Sequence, residues 1–248
     1  MSDHYNQPEL ADLYDDENVW DASAEFYLDL AKRTGAKTLL DLGCGTGTVT
    51  RGIAATAGCR AVGVDPAAPM LTVARRNTTS EPVEWIEADA RKVRLGRQFD
   101  LIIMTGHAFQ AFVTKKDQAA LLATIAAHLA PEGHFAFDTR NPAAREWLEW
   151  TPELSRRVVE TERFGPVDIW NEQRMDAVTG ILDVVEHYEI VKSGKRLRSD
   201  FRLRFSTEAE LARAIAAAGL AIESWFGDWN RALFAADARE IIVVGTSA

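Results

Sequence analysis

Cysteine, long apolar runs and excess positive charge are all scarce in this sequence. Its 248 residues include two cysteines, Cys44 and Cys59, which are too few for a disulfide framework and are typical of a reducing compartment. No apolar stretch approaches the roughly 20 residues that a membrane helix needs. Residues 1–20 are polar and acidic, unlike a signal peptide. We therefore expect a cytoplasmic protein with no membrane segment.

The balance of charge argues against a nucleic-acid partner. Lys and Arg number 28 and Asp and Glu number 37, which gives a formal net charge of −9. A protein of this charge is repelled by a phosphate backbone unless its basic residues gather on one face. With 47% hydrophobic and 26% charged residues the composition is that of a globular domain, so neither a disordered nor a fibrous chain fits.

Between residues 38 and 138 the chain repeats one unit, a short apolar run followed by a helical stretch. Such runs, separated by segments of helix length, are typical of buried parallel strands. The predicted strands are 38–42, 60–64, 83–87, 99–104 and 133–137, and the predicted helices are 22–33, 69–77 and 117–130. We predict an α/β fold with a doubly wound, mostly parallel sheet.

A different pattern follows Asp138. Apolar and charged side chains alternate along 196–205, which is the period of a half-exposed antiparallel strand. Turn signals separate this run from three similar ones, so we predict an antiparallel β cap inserted at 141–205. The flanking parts, 1–140 and 206–248, form the main domain. A helix at 207–218 and two strands at 221–226 and 241–244 complete a seven-stranded sheet with an antiparallel hairpin at its edge.

The most informative stretch joins the first strand to a helix through three glycines, Gly43, Gly45 and Gly47. Glycine permits positive φ angles and lets a ligand approach the main chain closely. Asp65 ends the second strand, twenty residues after Gly45, where a carboxylate can accept hydrogen bonds from both hydroxyls of a ribose. Asp89 follows the third strand, where it can accept from the amino group of an adenine.

These features also raise a dinucleotide-binding oxidoreductase as a rival. Its fingerprint, Gly-x-Gly-x-x-Gly, needs a glycine at the sixth position. Counted from Gly43, that position holds Thr48; counted from Gly45, it holds Thr50. Asp41, just before the loop, would repel a pyrophosphate and suits an ammonium or sulfonium group. The spacing and Asp41 together favour a cationic amino-acid nucleoside over a dinucleotide.

Five motifs resemble, in order, those of the class I S-adenosylmethionine-dependent methyltransferases. They are Asp-Leu-Gly-Cys-Gly-Thr-Gly from 41, Gly-Val-Asp-Pro from 63, Glu-Ala-Asp-Ala from 87, Phe-Asp-Leu-Ile-Ile from 99 and Leu-Ala-Pro-Glu-Gly-His-Phe from 129. The resemblance covers about residues 36–140. It implies a Rossmann-like methyltransferase fold with S-adenosylmethionine as co-substrate and no metal. It further implies donor contacts from Tyr14, Gly43, Gly45, Gly47, Asp65, Asp89 and Ala90, of which Tyr14, ahead of the first helix, would close over the donor. Asp41, Pro66, Met70 and Thr105 are further donor-binding candidates, and Met70 could pack either on the adenine or in the core.

Residues after the fourth and fifth strands are candidates for the acceptor side, because this fold presents them to the transferred methyl. His107 could take a proton from an acceptor hydroxyl or amine, or pack beside the donor without proton transfer. Asp138 and Arg140 could grip the acceptor, although Arg140 could instead pair with an acid. In the cap, Trp170 and Tyr188 are candidates for the wall of the acceptor pocket.

We therefore predict an enzyme that moves a methyl group to N, O or C of a small-molecule acceptor chosen by the cap. The sequence leaves open an RNA or protein methyltransferase, a non-catalytic donor-binding subunit and a nucleotide-binding oxidoreductase. A homodimer is compatible with the sequence.

Overall fold

Helices and strands alternate in the first half of the computed structural model, which describes residues 5–176 and 178–248. The α-helices are α1 (Pro8–Glu17), α2 (Ala22–Thr34), α3 (Thr48–Ala57), α4 (Ala68–Asn77), α5 (Lys115–His128), α6 (Pro152–Ser155) and α7 (Glu208–Ala217). The strands are β1 (Thr38–Leu42), β2 (Arg60–Asp65), β3 (Val83–Glu87), β4 (Phe99–Met104), β5 (Leu129–Arg140), β6 (Arg157–Thr161), β7 (Gly165–Asp176), β8 (Ile181–Ile190), β9 (Lys195–Arg204), β10 (Leu220–Phe226) and β11 (Glu240–Ser247). The helix predicted to reach residue 130 ends at His128, because β5 begins directly after it.

Seven strands form the main sheet in the order β10-β11-β5-β4-β1-β2-β3. β1 pairs in parallel with β2 and β4, whereas β11 runs antiparallel to both β5 and β10. The predicted doubly wound sheet and its edge hairpin are confirmed. The strand order reverses between β1 and β4, and ligands of such sheets bind outside the carboxyl ends of the strands at this switch point.

The core has two halves, one on each face of the main sheet. Successive side chains of a strand point to opposite faces, so Leu40 and Leu42 face α5 and α7, whereas Leu39 faces α2 and α3. All three leucines are fully buried. No helix within 5–176 or 178–248 is long and apolar enough to cross a membrane.

A second, antiparallel sheet has the strand order β6-β7-β8-β9 and lies in the chain between β5 and α7. This confirms the predicted antiparallel insertion; its proposed limits at 141 and 205 remain a prediction. The inner face of the cap is largely apolar and includes Val167, Ile169 and Tyr188, which are buried. The outer face carries the charged residues that alternate with them.

Helix α1 fills the space between the cap and the main domain, and it was not predicted. Leu10 and Leu13 pack against the inner face of the cap, whereas Ala11 and Tyr14 pack against α4. The sequence alone places Tyr14 ahead of the first helix. In the structure Tyr14 lies within the first helix, α1. The acidic sequence of α1 gives little apolar signal, because its few buried residues divide between two partners.

Ion pairs add to this bridge. Asp12 of α1 pairs with Arg76 of α4 at 2.8 Å and with Arg163 in the turn between β6 and β7. The Glu17 carboxylate, at the end of α1, lies 2.8 Å from Arg157 of β6. One helix thus links the cap to the main domain through apolar contacts on two faces and acids that reach both.

Gly245 of β11 is required by the close approach of two neighbours. A Cβ atom at this position would lie 2.3 Å from the main-chain oxygen of Ala221 in β10 and 2.6 Å from the Phe135 ring in β5. Neither can move without disturbing the sheet. We therefore expect Gly245→Ala to lower the free energy of unfolding by about 1–3 kcal/mol, the usual cost of overpacking.

Urea denaturation measures this change. Thr246→Ala serves as the control, because the neighbouring side chain is partly exposed and its loss should change stability by less than about 1 kcal/mol. A Gly245→Ala protein as stable as the wild type would contradict the packing of β10 on β11.

Candidate active site

The predicted donor-binding residues collect at the carboxyl edge of the main sheet, around the turn from β1 to α3. Gly43, Gly45 and Gly47 all have positive φ angles, of 81°, 55° and 74°. A Cβ atom on Gly45 would lie 3.3 Å from the Met70 methyl carbon and 3.9 Å from the Tyr14 ring. The structure thus brings Tyr14 and Met70 to the glycine loop and leaves main chain, with no side chain, facing the space between them.

Trp85 explains two glycines in another way. A Cβ atom on Gly47 would lie 2.1 Å from the Trp85 ring, and one on Gly63 would lie 2.3 Å from it. The indole nitrogen donates to the Thr78 hydroxyl at 3.0 Å, which fixes the ring. Gly63 stands directly opposite Trp85 in the β2–β3 register. A glycine on one strand and a tryptophan on the next are a sequence signal for this packing of the ring over β2.

Asp41, at the carboxyl end of β1, is a buried carboxyl group with an unused oxygen. Its exposure is 1%, and its Oδ2 accepts from the Thr50 hydroxyl at 2.6 Å. Its Oδ1 is buried and has no hydrogen-bond partner in the described part of the chain. Burial raises the pKa of Asp41 to about 7. A buried acceptor without a partner is costly, so this position is suited to a ligand that carries N–H groups or positive charge.

Asp65, at the end of β2, is held against the glycine loop. Its Oδ2 accepts from the main-chain N–H of Gly45 at 3.0 Å, and its Oδ1 accepts from that of Ala67 at 2.8 Å. Burial raises the pKa of this carboxyl group. Each oxygen keeps a further lone pair, which leaves acceptors for a pair of hydroxyls. Pro66, the next residue, is exposed.

Asp89 follows β3 as predicted, and its carboxylate forms an ion pair with Arg91. The guanidinium of Arg91 lies 2.6 Å from Asp89 and 2.5 Å from Asp117. This pairing lowers the pKa of Asp89. Ala90 is buried and packs in the core beside β3 and β4. Contact of Asp89 and Ala90 with an adenine remains a prediction.

The loop after β4 places His107 at the switch point of the sheet. His107 has a φ angle of 59°, in the left-handed region that few residues other than glycine adopt. Its main-chain N–H donates to Asp138 Oδ2 at 2.7 Å, and its ring Nε2 lies 2.8 Å from Glu240 Oε2. Thr105 is half-buried in the same loop, and a Cβ atom on Gly106 would lie 3.9 Å from the Tyr14 hydroxyl. The loop therefore adjoins the aromatic ring that covers the glycine turn.

Asp138, a sequence candidate for gripping the acceptor, is enclosed by the protein, and its contact with an acceptor remains a prediction. Its side chain is completely buried, lies in short contact with the Tyr27 hydroxyl and accepts from the main-chain N–H of His107. Arg140 is also engaged by the protein, since it donates to Gln110 at 3.0 Å and pairs with Glu146 at 3.3 Å. Arg140 thus takes the structural role that the sequence left open.

The two cap candidates lie on opposite faces of the inserted sheet. Tyr188 is on the inner face, is 4% exposed and donates to Glu186 at 2.7 Å. Trp170 stands directly opposite His187, one position along from the Ile169–Tyr188 pair, and therefore lies on the outer face. The two rings stack with their centroids 5.1 Å apart. The structure therefore does not bring Trp170 to the site, because a shift of one residue reverses the face of a strand.

Three acidic side chains and one tyrosine at the site were missed by sequence reasoning. Glu240 and Tyr27 contact the His107–Asp138 pair, whereas Glu17 and Glu186 face each other between α1 and the cap. The contacts of these four residues join elements that are far apart in the chain. In the described residues, no three His, Cys, Asp or Glu side chains come together in a way that would hold a metal ion.

Comparisons with known proteins agree with this geometry. A family model described as a methyltransferase domain matches residues 39–133. The chain is 37% identical over 107 residues to a cypemycin N-terminal methyltransferase from a Streptomyces species, and the match covers 43% of each chain. It is 34% identical over 170 residues to a 2-phytyl-1,4-naphtoquinone methyltransferase from Thermosynechococcus vestitus, which covers 62% of this chain and 72% of the relative. The chain thus spans less than half the length of the first relative and nearly three quarters of the second.

A solved structure with a similar fold is the CcbJ methyltransferase from Streptomyces caelestis. The TM-score is 0.80 at 22% sequence identity, and the alignment covers 98% of this chain and 97% of that one. The likeness therefore includes the antiparallel insertion as well as the main sheet. The five motifs occur in order, the domain model matches, and one relative is covered over most of its length. The chain therefore belongs to the S-adenosylmethionine-dependent methyltransferases.

Proposed function

We propose that the protein transfers a methyl group from S-adenosylmethionine to a nucleophilic nitrogen, oxygen or carbon of a small-molecule acceptor. The observation that carries the donor assignment is the unused, buried Oδ1 of Asp41 beside the glycine loop. A pyrophosphate would be repelled there, whereas an ammonium group would supply the missing partner and positive charge. S-adenosylmethionine presents such a group on its methionine part.

The other donor contacts follow from the same edge of the sheet. The glycine loop would lie under the methionine part, Asp65 would accept from the ribose hydroxyls, and Tyr14 would cover the bound donor. The closeness of Met70 and Tyr14 to the position that a Cβ atom of Gly45 would occupy supports this arrangement, since it places a thioether and an aromatic ring beside bare main chain.

Positioning carries most of the chemistry in this proposal. When bound, the donor supplies an electrophilic methyl group on a positively charged sulfur. The chain aligns the acceptor with it and excludes water, and holding two reactants in line accounts for a large part of a bimolecular barrier. In this proposal His107, whose Nε2 lies 2.8 Å from Glu240 Oε2, would hold a proton lost by the acceptor.

The inner face of the cap favours an acceptor that carries a basic nitrogen. The side chains of Glu17 and Glu186 are 9% and 13% exposed, and they share one arginine, Arg157, at 2.8 and 3.5 Å. Two largely buried carboxyl groups that share one cation leave a negative charge when both are ionised. Burial and the charge of Glu186 raise the pKa of Glu17 to about 7, and a protonated amine in this region would relieve that repulsion.

Calorimetric titration with S-adenosylmethionine and with NAD tests the donor assignment. We expect S-adenosylmethionine to bind and Asp65→Ala to weaken that binding at least tenfold, because each charge-assisted hydrogen bond is worth about 1.5–3 kcal/mol. The matched control is Asp200→Ala, which removes a carboxylate from the outer face of the cap, where it pairs with Arg198. Binding of NAD alone would overturn the proposal, and an unchanged affinity in Asp65→Ala would overturn the ribose assignment.

Asp41 should make donor binding depend on pH. Because burial raises its pKa to about 7, the ligand-free protein holds a proton at Asp41 below that pH. A cationic donor favours the ionised form, so we expect the affinity for S-adenosylmethionine to fall as the pH falls below about 7. Asp41→Asn should bind the donor at least tenfold more weakly and lose that component of the pH dependence, measured by titration across this range.

The same substitution should stabilise the ligand-free fold. The pKa of Asp41 is higher in the folded chain than its ordinary 3.8, so its ionisation destabilises the fold progressively as the pH rises between these values. Above about pH 7, Asp41→Asn should therefore raise the free energy of unfolding by about 1–3 kcal/mol, the cost of one unsatisfied buried group. A variant that is less stable and binds the donor normally would show that Asp41 is structural.

His107→Ala should lower turnover by less than about 100-fold, the lower limit usual for loss of a general base. An acceptor amine that is already neutral needs no base before it attacks, so positioning would supply most of the rate. Donor affinity, measured in parallel, should stay within a few-fold of wild type. A larger loss of turnover at saturating S-adenosylmethionine, together with disappearance of the acidic limb of the pH profile under the same conditions, would show that His107 is an essential base.

A further inference from the structure

Tyr27, Asp138 and the end of β4 form a buried cluster. In it, the hydroxyl oxygen of Tyr27 has two acceptor oxygens as neighbours but only one proton to donate. The hydroxyl oxygen of Tyr27 lies 3.1 Å from the carbonyl oxygen of Met104 and in short contact with Oδ1 of Asp138. Both Tyr27 and Asp138 are completely buried. A tyrosine hydroxyl carries a single proton, and an ionised carboxylate and a carbonyl both only accept. With Asp138 ionised, two acceptors would compete for that one proton.

We propose that Asp138 is protonated in the resting protein and acts as a positioning residue for the loop that carries His107. Its O–H donates to the Tyr27 oxygen, and the Tyr27 O–H donates to the Met104 carbonyl. Its Oδ2 remains an acceptor for the main-chain N–H of His107, at 2.7 Å. Every contact in the cluster then has one donor and one acceptor. The link to His107 deepens the proposed function, whereas the protonation of Asp138 stands without it.

The surroundings of Asp138 favour the neutral form. The groups that act on it from the packed elements are Tyr27 of α2, Asp41 of β1, His107 after β4 and Glu240 of β11. The two carboxylates oppose a further negative charge, and the imidazole Nε2 is 3.6 Å from Oδ2 but only 2.8 Å from Glu240. Burial and Glu240 raise the pKa of Asp138, against the opposing effects of His107 and Tyr27.

The consequence falls on the backbone of the loop after β4. A residue other than glycine is strained in the left-handed region, and His107 adopts it at φ 59°. Its N–H bond to Asp138 offsets part of this strain. Since Tyr27 ties the same carboxyl group to Met104, the last residue of β4, the cluster fixes where the loop leaves the strand and how the imidazole meets Glu240.

Infrared difference spectroscopy on the ligand-free protein tests the protonation directly. At neutral pH we expect the difference spectrum of wild type minus Asp138→Asn to contain the carbonyl stretch of a protonated carboxylic acid. Asp41 and Glu17, whose pKa values are also raised to about 7, contribute to both proteins and therefore cancel in this difference. The asparagine amide can donate to Tyr27 and accept from His107, so it reproduces the bonds of a neutral acid but not those of an ionised one. Asp138→Asn should therefore fold as well as the wild type, whereas Asp138→Ala should be less stable.

Two further measurements test the positioning role. The amide proton resonance of His107 should stay near its wild-type position in Asp138→Asn and move in Asp138→Ala, or in Tyr27→Phe if the alanine variant does not fold. Turnover should fall about tenfold in Asp138→Ala, the equivalent of one hydrogen bond, and be largely restored in Asp138→Asn, with S-adenosylmethionine affinity little changed in either.

The outcomes separate this inference from the proposed function. Absence of the carbonyl band, or a loss in Asp138→Asn as large as that in Asp138→Ala, would overturn the protonated form. An unmoved His107 resonance in Asp138→Ala or Tyr27→Phe would overturn the positioning role. Failure to bind S-adenosylmethionine would overturn the proposed function alone, because the band and the resonance are read without a donor or acceptor.

Discussion

Three carboxyl groups buried at the carboxyl edge of one sheet are the constraint on which the site depends. Asp41, Asp65 and Asp138 lie at or near the carboxyl ends of β1, β2 and β5, and none pairs with a lysine or arginine among the described residues. Burial raises the pKa of each. Each is instead stabilised by hydroxyl or main-chain donors, and these donors belong to the segments that shape the site: α3, the glycine loop and the loop after β4.

A sheet edge with buried carboxyl groups and no paired cations favours a positively charged ligand. Carboxyl groups that lack cations destabilise a protein unless a ligand or a proton compensates, and the geometry here is suited to both forms of compensation. Asp41 has an oxygen left for a cationic donor, whereas Asp138 has a geometry that calls for a proton. The acids between α1 and the cap continue the same sign of charge, and a cleft lined by one sign attracts the opposite one over long range.

The sequence was sufficient for features that arise from local patterns. The apolar runs of the main sheet, the glycine turn and Asp65 could be placed because strand periodicity and chain order determine where consecutive parallel strands end. Helix α1 was missed because its few apolar residues divide between two partners. Trp170 was misplaced because the register of a cap strand decides its face, and the contact between Tyr27 and Asp138 joins residues 111 positions apart, which no local pattern reveals.

Helix α1 also determines how this architecture can be recombined. One face carries Leu10 and Leu13 against the cap, and the other carries Ala11 and Tyr14 against α4 beside the glycine loop. A chimera that exchanged only the inserted strands for those of a relative would leave the two leucines without a matching surface. The unit that can be exchanged is therefore discontinuous in sequence: the cap together with α1. An exchange of this unit would thus also replace the aromatic ring that lies beside the glycine loop.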